Sequence, residues 1–93
     1  MKFYRFTVIF EKEGNNYNVS APALKGCYSC GESLNEARFN IREAMELYLE
    51  TILEEGCSIP KDKKIKENKN RIKEEVIVGI DFEVKTGLNP AYV

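Results

Sequence analysis

The sequence predicts an α+β fold of order β-β-β-α-β, and three observations carry that prediction. Residues 3–21 and 75–84 alternate apolar and polar side chains with a period of two, the signature of strands. Between Ser33 and Gly56 the apolar residues instead recur at helical spacing. Glycine, asparagine and proline mark the boundaries between these stretches.

Each element has its own reason. Tyr4, Phe6, Val8 and Phe10 face one way along the first strand, and Arg5, Thr7 and Ile9 the other. Glu13-Gly14-Asn15-Asn16 supplies turn chemistry, since glycine and asparagine tolerate positive φ. Tyr17, Val19 and Ala21 then form the return strand of a hairpin, and Pro22 ends it because proline lacks an amide hydrogen for the ladder. Cys27 to Cys30 is short enough to be a third strand. Ser33 followed by Glu36 is a capping box, which pairs two otherwise unbonded amides at a helix start. Leu34, Ala37, Ile41, Ala44, Met45, Tyr48, Leu49 and Ile52 fall on one arc of that helix, and Gly56 is its stop. Residues 57–74 lose the pattern and carry a basic run, so they read as an exposed connection with one helical turn around residues 65–72, either mobile or ordered by a partner. Val76, Val78, Ile80, Phe82 and Val84 then alternate with polar residues in a long strand expected at the centre of the sheet with one face on the helix; residues 86–93 are a tail.

Composition narrows the function. Ninety-three residues make one small domain, with 43% apolar and 31% charged side chains, as in an ordinary globular protein. A net charge of −1 lacks the basic excess of a protein that lives on phosphate contacts. No apolar run approaches the roughly 20 residues of a membrane helix, and the first residues meet charge and aromatics too early for a signal peptide, so a cytoplasmic location is expected. The three cysteines, Cys27, Cys30 and Cys57, are odd in number and are expected as reduced thiols, buried or half-buried. The single CxxC ends before the helix, and a four-ligand zinc site would need further donors in a chain with no histidine. No metal or cofactor is expected.

Two surfaces are candidates for binding. Glu36, Glu43, Glu46, Glu50 and Glu54 share the helix sector opposite the apolar arc, and Phe39 and Leu47 lie among them. Like charges four residues apart weaken a helix, so acidic residues interleaved with apolar knobs suit a small basic partner. A solvated face or a homodimer contact would use the same residues. The second surface is the basic run, Lys61, Lys63, Lys64, Lys66, Lys69, Arg71 and Lys73, which could follow an RNA backbone. It is interleaved with Asp62, Glu67, Glu74 and Glu75 and has no aromatic residue to stack on a base, which favours a solvated loop. Catalysis has little to work with. Glu11, Asp81 and Glu83 are the carboxylates that could converge on a metal pair, but Asp81 and Glu83 read as solvent-facing strand positions, and no enzyme is expected.

The run Tyr17, Pro22, Leu24, Gly26, Cys27, Ser29, Gly31, Glu36, Ala37, Asn40, Ile41, Glu43 and Ala44 resembles the motif of HicB-type antitoxins. The resemblance is tight over about a third of the chain. It implies a partial ribonuclease-H-like antiparallel sheet with one helix packed on one face and the final strand returning beside the first. It also implies a function: binding and neutralising a small basic HicA-type toxin, an mRNA-cleaving ribonuclease, by covering it. The partner-binding residues would then be Glu43, Glu46, Glu50, Glu54, Phe39 and Leu47. Two departures stand out. The family commonly has leucine and then a charged residue where this chain has Arg38 and Phe39, which turns an apolar group outward. Family members often continue into a DNA-binding motif, for which the nine residues after Val84 are too few, so sequence-specific DNA binding is not expected. The alternative is a solitary, oligomeric HicB-like domain with weak RNA binding through Lys61, Lys63, Lys64 and Lys66, or with no toxin partner.

Overall fold

The computed structural model describes residues 1–66 and 68–81. Its elements are β1 (Lys2–Glu13), β2 (Asn16–Ser20), β3 (Tyr28–Gly31), α1 (Leu34–Glu54) and β4 (Arg71–Ile80). The four strands form one antiparallel sheet in the order β3-β2-β1-β4. The expected order of elements and the return of the last strand beside the first are therefore present. Phe82 to Val84, Glu67 and the tail lie outside the described residues.

Local chemistry sets the hairpin and the helix. Glu13 faces Asn16 across a two-residue turn in which Gly14 takes φ 61° and Asn15 keeps an ordinary negative φ, the pattern of a type II′ turn. Ser33 caps α1 by accepting the Glu36 amide on its hydroxyl at 3.1 Å; the reciprocal bond from the Glu36 carboxylate is not formed among the described residues. At the other end Gly56 takes φ 78°. Its amide donates to Leu53 and the Cys57 amide donates to Ile52, which closes the helix as a Schellman motif.

The core lies between α1 and one face of the sheet. Phe6, Val8 and Phe10 of β1, Val19 of β2, and Val76, Val78 and Ile80 of β4 meet Ala37, Ile41, Met45 and Leu49 of α1. The loop between β2 and β3 adds Leu24, which is fully buried because backbone bonds from Leu24 to Ala21 and from Cys27 to Leu24 fold that loop tightly inward.

Three expectations are corrected here. β4 is an edge strand, not a central one; β1 lies inside the sheet, and its residues Phe6 to Phe10 are buried in succession, Thr7 and Ile9 included. β4 also begins at Arg71, so residues 71–74 belong to the sheet and not to the connection. No helical turn forms around residues 65–72. Asn68 and Arg71 make an isolated bridge there that turns the chain into β4.

The connection itself is fastened. Ile59 packs on the core, and Asp62 then accepts the Thr7 amide at 2.9 Å and the Thr7 hydroxyl at 2.8 Å. Further along, Lys73 donates to the Ile65 carbonyl at 3.3 Å. Thr7 and Lys73 both sit on the sheet face away from α1, so the chain changes faces between Ile59 and Asp62 and covers part of that open face. That cover accounts for the burial of Thr7 on the side expected to meet solvent.

Candidate partner-binding surfaces

The helical period places the acidic residues where the sequence predicts. Glu36, Glu43, Glu50 and Glu54 are exposed and Glu46 is half-buried, all on the side of α1 away from the sheet. Phe39 is 60% exposed and Leu47 67% exposed, more than their apolar surface favours. Phe39, Glu43 and Leu47 make one row of successive turns, and Glu46, Glu50 and Glu54 make the next. The two apolar side chains are eight residues apart, about 12 Å along the axis.

This face works against its own helix. Glu46, Glu50 and Glu54 repel at four-residue spacing. The last turn has no basic residue, although the carbonyl end of a helix favours cations. A surface shaped by helix stability alone would carry lysines at these positions.

Arg38, which replaces an apolar residue of the family motif, has a different task. Its guanidinium donates to both carboxylate oxygens of Glu74 on β4, at 2.8 and 2.7 Å, and stacks 5.8 Å above the Phe10 ring. This fork ties α1 to the sheet edge and leaves Phe39 to point outward. The hydrogen bonds from Arg38 hold the Glu74 carboxyl below its ordinary value, and those to Glu74 raise Arg38 further. A carboxyl with a depressed folded-state pKa stabilises the fold above the unfolded value and loses that contribution as pH falls through the folded one. The parent is therefore expected to exceed Glu74→Gln in stability by about 1 kcal/mol at neutral pH, a figure discounted for the pair's partial exposure. In urea titrations the gap should close on acidification below the ordinary carboxylate value of 4.5. A gap that stays constant into acid would contradict the ionic role.

The basic surface lies on the opposite side of the sheet. Lys63, Lys64 and Lys73 line an open cavity of about 610 Å³ with Thr7, Asp62, Ile65 and Glu75. Lys61 and Lys66 are exposed but do not line it. The sequence grouped all these lysines as one loop. The structure brings Lys63 and Lys64 to a strand residue, Lys73, through the Asp62–Thr7 bonds, a pairing of residues 55 apart that no local pattern announces.

The remaining candidates separate. Glu11 pairs with Arg71 at one end of β4 and Asp81 follows Ile80 at the other, so these carboxylates stand nearly a strand's length apart. Glu83 lies outside the described residues. The cysteines are free, but only Cys27 is buried; Cys30 and Cys57 are exposed, contrary to expectation, because one lies on the short edge strand β3 and the other just past the helix stop. Burial pushes the Cys27 thiol up from its usual value. Iodoacetamide on the native protein should therefore modify Cys30 and Cys57 within minutes and Cys27 only after denaturation, as read by mass spectrometry. Equal labelling of all three would show that the loop around Leu24 opens readily. Among the described residues, no helix is long and apolar enough to cross a membrane.

The sheet order and its single backing helix define a HicB-type α+β domain. The chain belongs to the HicB-like antitoxin family of bacterial toxin-antitoxin systems, whose family model matches residues 6–87. It is 44% identical over 62 residues to the UPF0150 protein ssr1765 of Synechocystis, covering 66% of this chain and 78% of that protein. The fold is shared with the N-terminal domain of the Burkholderia pseudomallei antitoxin HicB at a TM-score of 0.62 and 24% identity, over 85% of this chain and all of that one. It is also shared with a chain of the HicA3 and HicB3 toxin-antitoxin complex at a TM-score of 0.59 and 19% identity, over 84% and 99% of the two chains.

Proposed function

We propose that this chain is an antitoxin that binds a small basic HicA-type toxin through the exposed face of α1. The observation that carries the reading is the placement of Glu43, Glu46, Glu50 and Glu54 around the exposed Phe39 and Leu47. Carboxylates steer and orient a cationic partner, and two apolar anchors supply buried contact at its centre. Charge arranged against helix stability supports selection for binding at this face. Membership of an antitoxin family, and a structural neighbour that is itself part of a toxin-antitoxin complex, support the class of partner. Neutralisation in this reading is steric and electrostatic: the antitoxin covers an RNA-cleaving site and performs no chemistry. The whole chain, including its tail, acts as one domain.

Titrating the purified chain into a HicA-type toxin while following RNA cleavage tests this. Cleavage should stop at a fixed molar ratio. Undiminished cleavage at excess antitoxin, with several such toxins, would remove the proposal. The cavity lined by Lys63, Lys64 and Lys73 supports a second reading, weak RNA binding by the open face. The same assay separates the two, because exchanging Lys63 and Lys64 for glutamine should leave toxin inhibition intact and lower only RNA retention.

A further inference from the structure

β4 pairs with β1 along its whole length, and among the described residues nothing pairs with its other edge. The chemistry of that edge follows from the register. Glu13 and Asn16 close the two-residue hairpin, so the odd-numbered residues of β1 direct their backbone groups toward β2. The Thr7 amide agrees, since Asp62 accepts it from outside the β1–β4 ladder. Thr7 faces Glu75, and Ile9 faces Lys73. The backbone groups of Arg71, Lys73, Glu75 and Ile77 therefore point away from β1, out of the sheet edge. Their side chains share the open face.

Such an edge is normally protected by proline, by a bulge or by charge of one sign. Residues 71–80 contain no proline, and their pairing with β1 runs without a bulge. Their charges are of both signs, and they are self-complementary. Turned over on itself about Glu74, the strand sets Lys73 against Glu75 of a second copy and Glu75 against Lys73 of that copy. The stem of Arg71 then lies along Ile77, which is 53% exposed in one copy alone. The one like-charge meeting, Glu74 against Glu74, falls on the helix side, where each carboxylate is already held by its own Arg38.

We propose that β4 is a self-association edge: two copies pair antiparallel through it, in the register that opposes Lys73 of each to Glu75 of the other. The two four-stranded sheets become one continuous sheet. The inference does not depend on the toxin reading, which uses a different element.

Sedimentation velocity of the full chain over a wide concentration range tests it. The parent should sediment as a dimer. Lys73→Glu places two pairs of like charges across the junction and should raise the dissociation constant about tenfold or more. Lys73→Glu with Glu75→Lys restores opposite charges in this register and should return the constant to the parent value, while circular dichroism of all three proteins stays the same. A parent that remains monomeric, a single exchange without effect, or a double exchange no tighter than the single would each overturn the proposal.

Discussion

Exchanging Glu46 and Glu50 together for lysine is expected to weaken binding of a HicA-type toxin by about a hundredfold or more, while the antitoxin itself melts no lower than the parent. The first half follows from charge. Two attractive contacts become two repulsive ones beside the apolar anchors Phe39 and Leu47, and charge reversal at a complementary interface affects both encounter and retention. The second half follows from the helix. A lysine at position 50 sits four residues before Glu54 and near the carbonyl end of α1, where a cation is favoured by the helix dipole. Calorimetric titration against the toxin and a thermal melt of the free variant read the two halves separately. Unchanged affinity would remove the acidic face as the docking surface, whatever the family. A lower melting point accompanying the lost affinity would leave misfolding as the cause, so the pair of results is needed.

Phe10→Ala should have the largest effect on stability. Phe10 is 1% exposed, faces Val19 on β2 and Ile72 on β4, and carries the Arg38 guanidinium over its ring. Truncation removes the ring and leaves a cavity that the strands on both sides hold open, at a cost of about 3–5 kcal/mol. A chain of this length has only about 5–14 kcal/mol in total. The melting temperature should fall by at least about 12 °C. Phe3→Ala is the matched control: Phe3 belongs to the same strand but is 67% exposed on the open face, and its loss should change stability by no more than about 0.5 kcal/mol. Similar melts for the two variants would mean that β1 presents its other face to α1.

Both predictions rest on residues whose places were readable in advance, and the reason is local. A helix fixes which side chains share a sector, so the apolar arc from Leu34 to Ile52 determined where Glu43, Glu46, Glu50 and Glu54 would face. A strand does the same with a period of two, which put Phe10 on the side of Phe6 and Val8. The start of β4 was not readable in this way. Lys73, Glu74 and Glu75 look like a solvated loop when read alone. They are strand because Ile9, Val8 and Thr7 offer them a ladder, and because Glu74 finds Arg38 across the core edge.

The sequence by itself determined the order of elements, the cap and stop of α1, the turn at Gly14 and the two faces of the helix, since each depends on residues within a few positions of one another. Tertiary structure decided that β4 lies at the edge, that Thr7 is buried and that Lys63, Lys64 and Lys73 share one cavity. Those outcomes turn on which strand β4 pairs with and on the bonds from Asp62 to Thr7. Contacts between residues far apart in the chain form only once the whole sheet is assembled, and no period in the sequence records them.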